Sequence, residues 1–164
     1  MSKNENVTLR GVQVRFKNFS GREEKFNPAG KRNFCALLDP ETATQLKQAG
    51  WNIKQLKPKD LGDPPQDYIQ VSIMFGKYPP TVLMSVNGQE TEMSEMNVGT
   101  LDDLEVESAD VMMRPYHWEF QGRKGIKAFV QKARFYVRQP EMVQSGEDIL
   151  GPSAEPFIEE EIPF

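Results

Sequence analysis

The chain has 164 residues, 38% apolar and 27% charged, enough for one ordinary hydrophobic core with appendages. No run approaches the ~18 apolar residues of a membrane span, and the polar start Met1, Ser2, Lys3, Asn4, Glu5 lacks the apolar stretch of a signal peptide, so a soluble, cytoplasmic protein with no membrane is expected. The net charge of -4 speaks against a polyanionic partner only if the charge is evenly spread, and it is not.

Residues 12–17 alternate, with Val12, Val14 and Phe16 on one face and Gln13, Arg15 and Lys17 on the other, the pattern of a half-buried strand with a basic outer side. Residues 18–31 read as a long loop: Gly21, Asn27-Pro28 and Gly30 punctuate it, Arg22, Lys25, Lys31 and Arg32 make it basic, and Phe19 and Phe26 lie within it. Residues 33–38 form a second strand. Its Cys35, the single cysteine, has no partner for an internal disulfide and is expected to be a buried packing thiol. Asp39 as N-cap and Pro40 in the first turn start a short helix that Gly50 closes, with Ala43 and Leu46 as its apolar stripe. Up to residue 59 the chain carries twelve Lys and Arg against five acids.

Trp51 is expected to anchor the helix in the core, at the head of a strand over residues 51–56; a proline-containing loop follows over residues 58–65. Residues 68–75 have strand composition, and residues 81–86 run into Asn87-Gly88, the strongest short hairpin signal. The middle segment, 60–113, is acidic, with one Lys against eleven acids. Residues 104–113 and 116–120 read as two strands and Gly122, Arg123, Lys124 and Gly125 as a basic hairpin tip. In the last strand Ile126, Ala128 and Val130 share one parity and Phe135 and Val137 the other, which predicts a β-bulge near Lys132 and Ala133. Residues 114–140 hold seven Lys and Arg against one acid. If the fold joins this segment to the first one, the two make an electropositive face.

From about Glu141 the sequence has no Lys or Arg, seven acids and no usable periodicity, the composition of a disordered acidic tail. The expected organisation is one domain over residues 1–140 and a tail over 141–164. Seven or so short strands make the domain mainly β, a small Greek-key barrel of the OB-fold type with one short inserted helix; the inventory fits a β-sandwich nearly as well.

Cations and flat rings interleaved on strand faces suit sequence-tolerant binding of single strands, cations meeting phosphates and rings stacking on unpaired bases. Arg134, Tyr136 and Arg138 share one face of the last strand. Lys127 and Phe129 share the face opposite Ile126 and Ala128, and the bulge would turn both groups outward. Tyr116, Trp118 and Phe120 also share a face, an arrangement as common in core packing as in stacking; of these Trp118 is the candidate DNA contact. Arg15, Lys17, Arg22, Lys25, Lys31, Arg32, Arg123 and Lys124 complete the candidate interface.

Catalytic signals are thin. One histidine, His117, and one cysteine exclude a Cys/His zinc cluster within the chain, and neither a Walker loop nor a G-x-S-x-G elbow occurs. Asp102, Asp103, Glu105, Glu107 and Asp110 read as a solvated strand face rather than a magnesium site. No enzyme, cofactor or metal is expected, with a metal-dependent nuclease and a β-sandwich structural or assembly protein with an acidic spacer tail as the alternatives.

The most specific motif is Glu159, Glu160, Glu161, Ile162, Pro163 and Phe164, which resembles the terminal peptide of bacterial single-stranded-DNA-binding proteins, an acid run followed by Ile-Pro-Phe. Glu stands here where that family mostly has Asp, which preserves the charge of the run. The resemblance implies a protein that covers single-stranded DNA and recruits replication, repair or recombination proteins through this tip. Ile162 and Phe164 would fill apolar pockets while the acids steer the tip to basic rims. Outside the tip the body shows no motif of the bacterial tetrameric family. A bacteriophage-encoded relative, acting in the host cytoplasm, is therefore compatible with the sequence, and the oligomeric state is left open.

Overall fold

The computed structural model describes residues 5–138 apart from positions 26, 59 and 61; the expected tail with its tip, Glu159 to Phe164, and the loop residue Phe26 lie outside the described residues. Among the described residues, nine strands form one curled sheet. Strands β1 (Val7–Val12) and β2 (Val14–Asn18) are one bent segment, parted only by Gln13. Its first half pairs with β8 (Val106–Phe120) and its second with β3 (Arg32–Leu38). From β8 the sheet passes through β9 (Arg123–Val137) and β5 (Gln66–Ile73) to β3 and β2, so both ends of the path meet on the bent segment. One sheet brought round on itself is a partly open barrel, not two stacked layers, and the OB-type expectation holds over the sandwich.

Helix α1 (Pro40–Gln48) forms as the sequence dictates. The Asp39 carboxylate accepts the Thr42 amide at 3.1 Å, Pro40 opens the first turn, and Gly50 at φ 101° ends the run. Ala43 and Leu46 are buried, and Trp51, 2% exposed, bridges to Ile126 beneath the helix. Strand β4 (Ile53–Leu56) pairs with β5, and the hairpin of β6 (Thr81–Val86) and β7 (Gln89–Met93) is carried by β9. Asn87 and Gly88 take φ of 51° and 83°, the two positive values of the type I′ turn that Asn-Gly signals.

The core centres on Phe19, Phe34 and Phe135, whose ring centroids lie 5.0 to 5.6 Å apart. Phe19 belongs to the loop expected to be merely basic. It is fully buried because Asp102 holds the loop down: that carboxylate accepts the Phe19 amide at 2.7 Å and the Ser20 amide at 3.0 Å. Asp102 lies in a 3₁₀ helix, Val98–Asp103, which the sequence reading did not include.

Four local expectations are corrected. The alternation over residues 12–17 breaks at Phe16, which takes φ 53° and is 62% exposed, because a bulge between Arg15 and Asn18 reverses the facing of β2. Strand β1 went unread. The two strands expected over residues 104–120 are one, continuous through Pro115; β1 pairs with β8 only as far as Met113, so beyond it Pro115 interrupts no ladder on that side. The hairpin tip is Gln121-Gly122, at φ 51° and 80°, and Arg123, Lys124 and Gly125 already belong to β9. The bulge in β9 falls at Gln131, beside the expected place: Met112 faces Lys132 and Met113 faces Val130.

Candidate nucleic-acid interface

Strands β3, β5 and β9 lie side by side, and register fixes a row across their outer face. Asn33 stands opposite Ser72, Ser72 opposite Phe129, and Phe129 opposite Arg114 of β8. The residues between them, Phe34, Val71 and Ala128, point inward and are buried, as a period of two requires. Phe129 is only 8% exposed, yet it lies outside the hydrophobic core cluster. Its cover is on the outer face: the Tyr116 ring meets it edge-on at 5.8 Å, the Arg114 guanidinium lies 5.3 Å from its centroid and the Lys127 ammonium 5.2 Å. Two cations over one ring place positive charge beside a flat apolar surface.

A cleft of about 400 Å³ opens along this row. One wall is the 27–31 loop with Lys31, the floor is Arg32, Asn33, Gln70 and Ser72, and the far side is Met74, Phe75, Lys127 and Phe129. Asn27 stiffens the loop, its side chain donating to the carbonyls of Arg22, Pro28 and Lys31 and accepting from Asn33. The Arg32 guanidinium sits 5.8 Å from the Phe75 ring centroid and 3.6 Å from Glu95. Burial, and then the nearby Lys31 ammonium, hold the Lys127 pKa below the ordinary lysine value. Cations kept together against their own repulsion favour an anion between them.

Beyond Met113 the β8–β9 hairpin continues as an arm. By register and alternation its Tyr116/Lys127, Trp118/Gly125 and Phe120/Arg123 pairs prolong the face of the Arg114/Phe129 pair. Successive pairs are about 7 Å apart along the strands. Trp118 packs over Gly125, where an added Cβ would fall 2.9 Å from the indole. Tyr116 and Phe120 are more than half exposed.

Of the residues singled out in the sequence, Lys31, Arg32, Lys127 and Phe129 line the cleft, and Trp118 and Arg123 lie on the arm. Lys124 stands opposite Glu119 on the arm's other face. The rest are placed elsewhere. The Lys17 ammonium donates to the carbonyls of Leu101, at 3.0 Å, and Leu104. Arg22 lies 3.9 Å from Asp102 and 4.0 Å from Glu24, and Lys25 is exposed in its loop. Arg15 and Arg138 border a separate small cleft with Glu105 and Glu107. Arg134 pairs with Glu90, the Tyr136 hydroxyl donates to Asp110, and Arg138 pairs with Glu105 and Glu107, so acids face the C-terminal half of β9. Sequence reasoning missed Asn33, Gln70, Ser72, Phe75 and Glu95 as cleft residues and Arg114 as the neighbour of Phe129; strand register brings Asn33, Ser72 and Arg114 into one row, and the segments after β5 and β7 bring in Phe75 and Glu95.

Cys35 is buried, and burial, opposed by Lys54, pushes its thiol pKa up to about 11. Among the described residues no three His, Cys, Asp or Glu gather as a metal site, and no helix is long and apolar enough to cross a membrane.

A family model described as "Putative phage ssDNA-binding domain" matches residues 1–162. No curated protein matches the sequence. Among solved structures, the chain is similar to the C-terminally truncated single-stranded DNA-binding protein of bacteriophage Enc34, with 13% identity, 84% of this chain and 88% of that one covered, and a TM-score of 0.52. The same phage protein in complex with ssDNA matches with 13% identity, the same coverage and a TM-score of 0.50. At such identity the likeness speaks for the fold.

Proposed function

The chain belongs to the phage ssDNA-binding domain family, and on that premise we propose that the single-stranded DNA it binds runs through the cleft between the 27–31 loop and β9 and out along the β8–β9 arm. The observation that carries this reading is the outer face built over Phe129, where the exposed Tyr116 ring and the Arg114 and Lys127 cations lie together. Rings offered on a strand face recognise unpaired bases, which a duplex keeps stacked inside. Cations beside them meet the phosphates. Because every base has a flat face, binding follows the strand with little sequence preference, protecting it without acting on it.

Recruitment of replication, repair or recombination proteins through Glu159, Glu160, Glu161, Ile162, Pro163 and Phe164 belongs to the same reading, as does a place in the host cytoplasm. It rests on the resemblance of that peptide to the tips of bacterial single-stranded-DNA-binding proteins. Photo-crosslinking of oligo-dT followed by peptide mapping tests the path. Adducts on Tyr116 and Phe120 are expected, and adducts confined to the Tyr136 end of β9 would contradict it.

A further inference from the structure

Among the described residues that line the cleft, Glu95 is the single acid. It stands on a braced turn: the Ser94 amide donates to the Asn97 side chain at 2.7 Å, the Val98 amide donates to the Ser94 carbonyl at 2.9 Å, and Val98 is fully buried. The turn thus holds a carboxylate at the mouth of a cationic cleft. Its partner Arg32 is unlike it in exposure. The Arg32 side chain is 19% exposed and that of Glu95 58%, so the guanidinium is built into the cleft and the carboxylate approaches from the solvent side. Their contact, 3.6 Å, exceeds the 2.7–2.9 Å of a charge-assisted hydrogen bond. The buried Arg32 Nε has no hydrogen-bond partner among the described residues. A guanidinium whose terminal Nη1 has one loose anionic neighbour, with two lysines, Lys31 and Lys127, in the same cleft, is equipped to exchange that neighbour for a phosphate.

We infer that the Arg32–Glu95 pair marks the seat of one backbone phosphate, and that Glu95 competes for that seat in the unbound protein and so sets the affinity for single strands. The inference rests on the ssDNA path proposed above. A strand that reaches the cleft exchanges Glu95 for a phosphate oxygen on Arg32, and the carboxylate, already largely in water, swings clear. An anion too weakly held elsewhere to displace Glu95 gains nothing from Arg32, so this acid favours long strands over short nucleotides.

Glu95→Gln keeps the shape of the side chain and removes its charge. Glu92→Gln makes the same charge change on the exposed side of β7, away from the cleft, and serves as the control. In titrations of fluorescent oligo-dT at low salt, Glu95→Gln should bind roughly two- to fivefold tighter than wild type, the scale of an exposed ion pair, with Glu92→Gln close to wild type. In an Arg32→Gln background the gain from Glu95→Gln should vanish. Equal behaviour of the two single variants, or a gain that survives the loss of Arg32, overturns the inference while the ssDNA path stands. Wild-type protein that fails to bind oligo-dT overturns both.

Discussion

The Tyr136 hydroxyl donates to the Asp110 carboxylate at 2.8 Å, and the same carboxylate accepts the Gly11 amide at 2.8 Å, so one acid ties β9, β8 and β1 together. Burial works against the charge of Asp110. The Gly11 amide, the Tyr136 hydroxyl, Arg10 and Arg134 outweigh it and hold the pKa below the usual carboxylate value. Tyr136→Phe should therefore cost about 1 kcal/mol of stability in urea unfolding and leave oligo-dT affinity unchanged within error. A pKa depressed in the folded state contributes stability that is present above the ordinary aspartate value of 3.8 and is lost as pH falls through the folded value. Asp110→Asn should flatten that acid limb of the stability profile.

Tyr116 is expected to behave in the opposite way. Neither its ring nor that of Phe129 belongs to the core cluster, but their burial differs: Tyr116→Ala, at a residue 52% exposed, should fold normally, while Phe129→Ala, at a residue 8% exposed, should also lose stability. Tyr116→Ala should weaken oligo-dT binding by about 1–3 kcal/mol, the range for loss of one base–aromatic stack, and Phe129→Ala should weaken it by removing the ring on which Tyr116, Arg114 and Lys127 are seated. Phe135→Ala is the contrast: its ring packs on Phe19 and Phe34, and truncation should cost about 3–5 kcal/mol of stability. Anisotropy titrations beside thermal melts of the three variants separate the two roles.

Lys127 pays a stability penalty for its place in the cleft. Its folded pKa lies below the ordinary 10.5, through burial first and Lys31 second, so the folded state is penalised at pH values below the folded pKa. The penalty is relieved as pH rises through 10.5. Lys127→Met should raise the Tm at neutral pH while weakening oligo-dT binding and lowering the salt slope by about 0.7, the value for one phosphate contact on a single strand. A variant that loses both stability and affinity would speak for a structural role.

The tail should act on DNA and on proteins separately. Residues 141–164 carry seven acids and no Lys or Arg, so their removal should raise oligo-dT affinity, most at low salt, by freeing the basic face from a tethered competitor. Phe164→Ala leaves the acid count unchanged. It should spare DNA affinity and abolish capture of replication or recombination proteins in pull-downs, and equal recovery with wild type would remove the docking role.

Much of the fold was legible because strong local signals agreed with the tertiary structure. Asp39-Pro40 and Gly50 bounded α1, Asn87-Gly88 turned the β6–β7 hairpin, and the change of parity between Val130 and Phe135 announced the bulge in β9. The misreadings lie where long-range contacts override local pattern. Phe16 alternates perfectly with Val14, but the bulge in β2, with Lys17 turned to the carbonyls of Leu101 and Leu104, flips it outward. Part of the cleft was legible: Lys31 and Arg32 at the head of β3, and Lys127 and Phe129 on β9. The rest was not, because Arg114 meets Phe129 only through cross-strand register, and Arg32 meets Glu95 only through a turn 63 residues away in sequence. Composition alone also leaves open which cations pair with acids inside the fold, as Arg134 and Arg138 do.

The measurement that bears most directly on the central claim is an anisotropy titration of labelled oligo-dT against a duplex of the same length, each at low and at moderate salt. A cleft and arm that offer the exposed Tyr116 and Phe120 rings to unpaired bases and Arg32 and Lys127 to phosphates should bind the single strand more tightly than the duplex at both salt concentrations, and both affinities should fall as salt rises. Equal affinity for the two at both concentrations would mean that only phosphate charge is being read, and would contradict the account.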